Sequence, residues 1–331
     1  MKQNCLKTSL LLAALLLFAC RVSYASEETA KSQTLKLQIQ SAEKTPGSLK
    51  TTILAASRAG TRIVAVGERG VILISDDDGS SYRQAKSVPV SSTLNGIWFA
   101  DATTGWAVGH WGAILRSSDS GETWAVQRSD TQVDQPLFSV HFINKDEGWA
   151  VGLWSLMLHT IDAGAHWTTV TLPPPPGVKN ANRNLYEMFA SAKGTLFIAC
   201  EQGRILRSSD RGVTWQYVET GYAGSFWSGL SLADGTLLVG GLRGTIYRSA
   251  DDGKSWNAIA TPFKSSITGM VQLNDNSVRT VGLDGVSMIS KNDGASFQGL
   301  QKSNRETLTA VIDSGKGFPL QFSINGPVAS R

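Results

Sequence analysis

The chain has 331 residues, 41% apolar and 18% charged, a balance that fits one or two folded domains and excludes a disordered or fibrous protein. The formal net charge is +4, but Lys2, Lys7 and Arg21 fall in a first stretch of 25 residues that carries no acid. The remainder has 28 basic and 27 acidic residues, which argues against a general nucleic-acid binder, since that function needs a basic footprint.

In chain order, the first element is a targeting segment. Lys2 and Lys7 precede an apolar run from Leu10 to Cys20, and Ser23-Tyr24-Ala25 forms a small-x-small cleavage site before Ser26. The run is too short to span a bilayer core, which takes about 20 residues. Residues 1–25 therefore read as a signal peptide and 26–331 as a single exported domain. Leu17-Phe18-Ala19-Cys20 offers a second processing route, lipidation at Cys20, although Phe18 fits a lipobox poorly. Next, Leu35 to Gln40 (LKLQIQ) alternates apolar and polar residues like a strand.

From residue 75 the chain repeats itself. Ser-x-Asp-x-Gly-x-Ser/Thr-Trp recurs as Ser75 to Tyr82, Ser117 to Trp124, Thr160 to Trp167, Ser208 to Trp215, Ser249 to Trp256 and a degenerate Ser290 to Phe297. The box glycines are Gly79, Gly121, Gly164, Gly212, Gly253 and Gly294, spaced by 42, 43, 48, 41 and 41 residues. A Val-Gly-turn-Gly prelude stands at matching positions before the boxes in Val66 to Gly70, Val108 to Gly112 and Val281 to Gly285, with a further apolar run upstream and an alternating run after the box. One unit thus reads as four short strands separated by glycine turns, which is a propeller blade. The 306 residues from Ser26 onward hold about seven such units. The expected fold is an all-β, closed, seven-bladed propeller. Residues 307–312, 320–323 and 326–330 supply three strands of the last blade, and the N-terminal strand at 35–40 is expected to supply the fourth. The box residues Asp77, Asp119, Asp162, Asp210, Asp251 and Asn292 are expected to be structural, accepting backbone N–H bonds in a tight turn. A box offers too few acids for a calcium loop.

The composite Ile97-Trp98-Phe99-Ala100-Asp101, Gly105-Trp106-Ala107-Val108-Gly109, Gly112-Ala113-Ile114 and Ser118 to Trp124 resembles the photosystem II stability and assembly factor family, a group of BNR/Asp-box propellers with many bacterial relatives. Blade three repeats the pattern in Val140 to Asn144 and Gly148 to Gly152. The resemblance implies a periplasmic or thylakoid-lumenal propeller that binds a membrane protein or membrane-associated complex during assembly, without catalysis and without a cofactor. A monomer is expected, with no nucleic acid as partner.

Two rivals belong to other classes. A sialidase-like glycoside hydrolase shares the box but needs an arginine cluster and a Tyr–Glu nucleophile pair. Its Phe/Tyr-Arg-Ile-Pro element is missing at both Arg62-Ile63 and Arg204-Ile205. Glu68, Glu201, Asp134 and Asp284 are the acids that a two-carboxylate mechanism would draw on. The other rival is a carbohydrate-binding propeller of the cell envelope, using exposed tryptophans. Metal chemistry is not expected, because His110, His141, His159 and His166 show no ligand spacing. Cys200 reads as a buried small hydrophobe. The four-proline run Pro173 to Pro176 opens a long inter-blade loop, as a spacer or a docking segment.

The candidate partner surface comes from register. The residue ten before each box glycine is Arg69, Trp111, Trp154, Gln202, Arg243 or Asp284, at the tip of the turn between strands two and three. Arginine and tryptophan are enriched at binding hot spots. Arg69, Trp111, Trp154 and Arg243 are thus expected to form a partner-binding face. Arg183, Tyr186, Tyr222 and Trp227 are expected to join it from inter-blade loops.

Overall fold

Each repeat folds into a small twisted sheet because its four runs alternate or stay apolar at strand length and are cut by residues that accept positive φ. The computed structural model describes residues 40–179 and 182–329. Within them, six four-stranded antiparallel sheets and one three-stranded sheet are arranged in a ring as a seven-bladed propeller. Blade one comprises Ile53–Ala59, Arg62–Gly67, Ile72–Ser75 and Arg83–Gln84. Blade two comprises Leu94–Phe99, Gly105–Gly109, Ile114–Ser117 and Ala125–Arg128. Blades three to six begin with Leu137–Phe142, Leu185–Ala190, Phe226–Ser231 and Ile267–Gln272. Blade seven consists of Leu308–Asp313, Pro319–Ser323 and Gly326–Pro327. The fourth strand expected at 35–40 lies outside the described residues, apart from Gln40, which is exposed and not in a strand.

Burial lies between blades, not within them. Every interface has its own apolar cluster. Trp106, Ile114 and Val140 join blades two and three, and Trp149, Met157 and Met188 join blades three and four. Ile63, Leu73, Leu320 and Phe322 join blade seven to blade one and close the ring. Thr309 Oγ1 also donates a hydrogen bond to the Ile53 carbonyl across that seam. The cluster between blades six and seven is the smallest, with Val281, Leu308 and Val311 at its centre.

The Gly-Trp-Ala-Val-Gly element has a packing reason at each end. Trp106 is fully buried and stacks on Phe142 at 3.6 Å, with Nε1 donating to Gln127 Oε1 at 3.1 Å. At Gly109 a Cβ would lie 2.0 Å from the Thr93 carbonyl oxygen, so only glycine lets the first strand approach.

The boxes are uniform hydrogen-bonded knots. In blade two, Ser117 Oγ donates to Asp119 Oδ1 at 2.8 Å and accepts from the Gly121 N–H at 2.9 Å. Thr123 donates twice, from N–H to Oδ1 at 2.9 Å and from Oγ1 to Oδ2 at 2.6 Å. Trp124 Nε1 donates to the Gly121 carbonyl at 2.9 Å. His166 replaces the hydroxyl in blade three and meets Asp162 Oδ2 through Nδ1 at 2.7 Å. In blade six the polarity reverses: Asn292 Nδ2 donates to Ser296 Oγ at 3.0 Å. These bonds, led by the Ser81 hydroxyl at Asp77, the His166 N–H at Asp162, the Thr214 hydroxyl at Asp210 and the Ser255 hydroxyl at Asp251, hold the four carboxyls at about 2.

Candidate functional site: the turn face and the channel mouth

Antiparallel order puts the boxes and the strand one–two loops on one face. The strand two–three turns and the inter-blade connections occupy the other. On that second face six turns share one geometry. The tip residue is left-handed in every case: Arg69 (φ 56°), Trp111 (φ 59°), Trp154 (φ 53°), Gln202 (φ 59°), Arg243 (φ 56°) and Asp284 (φ 56°). A second positive-φ residue follows, glycine in five turns and Ser155 (φ 59°) in blade three. Two consecutive positive φ values define the tight turn for which Asn-Gly is the cheapest sequence. Tryptophan gains nothing there locally. Trp154 is 55% exposed, and Arg69 and Arg243 are exposed as well. Trp111 is half-buried.

The turns are pinned from the neighbouring loops. Asp134 Oδ1 accepts the Trp111 N–H at 2.7 Å, and its Oδ2 meets His110 Nδ1 at 2.9 Å. Asn184 Oδ1 accepts the Trp154 N–H at 3.2 Å, and the Arg183 N–H donates to Ser155 Oγ at 2.9 Å. Asp284 Oδ2 accepts from Ser265 Oγ at 3.0 Å. Asp134 and Asp284, two of the acids considered for a hydrolase, thus organise loops.

The four inter-blade candidates are placed differently from one another. Arg183 lies in the connection that enters blade four. Tyr222 is half-buried between blades, its hydroxyl donating to the Leu242 carbonyl at 2.8 Å and its ring 5.4 Å from Phe226. Tyr186 and Trp227 are not in loops, as the sequence reading placed them. They sit in the innermost strands of blades four and five and line the central channel. The reason is a bulge. In every blade the strand one–two register slips at the second residue of strand one, next to the turn face, and leaves that residue unpaired.

These seven bulge residues ring the channel mouth; Leu54 of blade one is a lone aliphatic, and the other six fall into two sets. Asn95, Thr268 and Thr309 each donate a side-chain hydrogen bond to a carbonyl of the next blade, on Leu137, Leu308 and Ile53 respectively. Phe138, Tyr186 and Trp227, on three successive blades, make no such clip. They form an aromatic arc, with Phe138 stacked on Tyr186 at 5.6 Å and 19°. The channel beneath holds about 430 Å³, and Glu187 lines it. Burial pushes the Glu187 carboxyl up to about 8.

Phe138 and Glu187 were missed by sequence reasoning. Superposing the seven first-strand runs would have shown that six blades carry Ala, Gly or Ser where blade four carries Glu187, but only the bulge reveals which positions face the axis. Two other ionisable groups flagged from sequence, His141 and Cys200, are packed away. His141 lies against Trp98 with ring centres 4.3 Å apart and planes tilted by 49°, and burial pulls it down to about 4; Cys200 is buried and its thiol is pushed up to about 12. Among the described residues, no cluster of His, Cys, Asp and Glu is arranged to hold a metal ion.

Comparison with known proteins agrees with this architecture. Residues 83–236, just under half of the chain, match the family described as photosynthesis system II assembly factor YCF48. That span runs from the outer strand of blade one to the Thr236 turn of blade five, and so includes both Gly-Trp-Ala-Val-Gly elements. No curated protein sequence matches the chain. Among solved structures, YCF48 bound to a D1 peptide superposes with a TM-score of 0.69 at 15% identity, covering 89% of this chain and 100% of that one. YCF48 from Cyanidioschyzon merolae gives 0.67 at 12% identity, covering 86% and 97%. The Cps50 (Swd1) propeller of Myceliophteria thermophila gives 0.64 at 12% identity, covering 86% and 96%, so at this level the likeness speaks for the fold alone. The repeats, the matched span and the fold together make this chain a seven-bladed propeller that resembles the photosystem II assembly factor family.

Proposed function

We propose that the chain is an exported, non-enzymatic scaffold that holds a membrane protein, or a complex in the membrane, through its turn face during assembly. The observation that carries this reading is the turn set: one costly backbone conformation repeated six times, with tryptophan or arginine at four of the six tips. Strained, exposed large side chains at a turn gain the fold nothing and give a partner rigid anchors. The family match and the relative solved with a D1 peptide support a protein segment as what docks there. The client here is a photosystem core subunit in a photosynthetic host and another envelope complex elsewhere. The signal sequence at 1–25 supports a location in the periplasm or thylakoid lumen, and N-terminal sequencing of the mature protein should begin at Ser26.

Crosslinking in the native host followed by identification of the bound proteins tests the proposal. A membrane protein is expected, together with loss of the same complex in a deletion strain. Recovery of no protein, with turnover of sialosides or other glycans by the purified chain, would replace the scaffold with the hydrolase reading. Retention on polysaccharide without turnover would favour the carbohydrate-binding one.

A further inference from the structure

We propose that the central channel is a binding site for an alkylammonium group, with Glu187 as its counter-ion and the aromatic arc as its collar. The argument begins with a register. The residue after each bulge points to the same layer of the channel, and six blades fill it with Ala55, Gly96, Ser139, Ser228, Gly269 and Ala310. Small side chains leave the axis open. Blade four alone places a long acid there, Glu187, opposite Ala199 of its own sheet.

Glu187 is poorly served by the protein. The contact shown for its carboxylate is Ser139 Oγ at 3.5 Å, the long limit of a hydrogen bond. That hydroxyl also accepts the Met188 N–H at 3.1 Å, which leaves its proton free to turn toward the acid. The ion pairs among the described residues do not include Glu187. A carboxylate enclosed by strands without a cation is costly, and burial accordingly raises its proton affinity. A ligand that brings its own positive charge removes that cost.

The mouth above it suits the same ligand. Phe138, Tyr186 and Trp227 offer aromatic faces, which attract an ammonium, and their apolar bulk accommodates an unbranched alkyl stem. On the other side of the mouth Asn95, Thr268 and Thr309 are clipped to the next blade and Leu54 is aliphatic, so the aromatic faces are confined to the arc. A channel of about 430 Å³ admits a lysine-sized chain but not a folded element.

The site is independent of the scaffold reading. The experiment uses the mature protein at pH 8 and titrates n-hexylammonium and, separately, 1-hexanol, following the tryptophan fluorescence that Trp98 and Trp227 report from the channel wall. Saturable binding of the ammonium at least tenfold tighter than that of the alcohol is expected. Glu187→Gln, which keeps the shape, should bring the two within twofold while Trp227→Phe weakens both. Equal binding of the ammonium and the alcohol by the unaltered protein would overturn the proposal, as would unchanged discrimination in Glu187→Gln. If Glu187→Gln fails to fold, the discrimination in the unaltered protein and its loss in Glu187→Ser, which installs the residue type that blades three and five carry at this register, carry the test. Failure of this site would leave partner capture by the turn face standing.

Discussion

The two faces of the ring repeat their backbones equally well and differ in what the side chains do. On the box face, conformation and side chains repeat together: Ser75, Ser117, Thr160, Ser208, Ser249 and Ser290 each donate to the acid or amide two residues on. On the turn face the tip φ stays between 53° and 59°, yet the tip changes among Arg, Trp, Gln and Asp. A position whose side chain is dictated by local hydrogen bonds has little freedom to acquire a function. A position whose backbone is fixed by its neighbours, and whose side chain points into solvent, has a great deal. The same contrast runs around the channel mouth, where clipped polar bulges with Leu54 among them occupy one side and the aromatic arc the other.

The sharpest way to break the comparison is to exchange outcomes between faces. Substituting Arg69, Trp111, Trp154 and Arg243 together by alanine should abolish capture of the partner in pull-downs. The melting temperature should stay within about 4 °C, because exposed tips contribute little to the core. Partner capture at the level of the unaltered protein would remove the turn face from consideration. Asp119→Ala should do the reverse. It strips the acceptor from the Ser117 hydroxyl and from the Thr123 N–H and hydroxyl, at a cost of about 2 kcal/mol, and leaves capture intact. Denaturant unfolding of both variants, with one capture assay, separates the faces in a single comparison.

The parts of the molecule legible in the sequence are those where one local rule repeats. The box could be read because Asp119, Gly121 and Trp124 meet needs that arise within eight residues. The blade count followed from their spacing. The tip register was legible for the same reason, since Arg69-Gly70 and Trp111-Gly112 precede the box glycine by a constant interval. The channel was not. Tyr186 and Trp227 lie just after an inter-blade connection, and the bulge that turns them inward is a property of strand pairing, which no single run displays. Glu187 was hidden for the same reason: within Leu185 to Ala190 it is the one charged residue of a short apolar run, and on an open sheet it would face water.

The acid stability of the boxes gives a subtler test of how uniform that face is. Asp77, Asp162, Asp210 and Asp251 are held at about 2, below the ordinary carboxylate value of about 3.9. A depressed pKa in the folded state contributes stability that is complete above pH 4 and lost as pH falls toward 2. Thermal melts should therefore decline steeply across that window. Asn292 performs the same task without a charge, so Asp210→Asn with Asp251→Asn should flatten the decline while the fold persists at neutral pH. An unchanged slope in that double variant would assign the acid sensitivity elsewhere.

The smallest effect is the most diagnostic for the turn face. Trp154 holds φ 53° beside Ser155 at φ 59°, a pair of left-handed residues without glycine. Asparagine tolerates the left-handed region and avoids a penalty of about 1–2 kcal/mol for a bulky residue there. Trp154→Asn, which leaves the Ser155 hydroxyl on the Arg183 N–H, should therefore leave the protein as stable as before or raise its stability by about 1 kcal/mol, since the indole is largely solvated. If the tip were selected for folding, the variant would lose stability instead. If it is selected for a partner, the more stable protein should capture that partner less well, and the opposite movement of the two readouts identifies Trp154 as a binding residue. Urea midpoints set beside crosslinking yields provide the measurement. A Trp154→Asn protein that is less stable yet binds as well as the original would return this turn to the same status as the boxes, a structural device and nothing more.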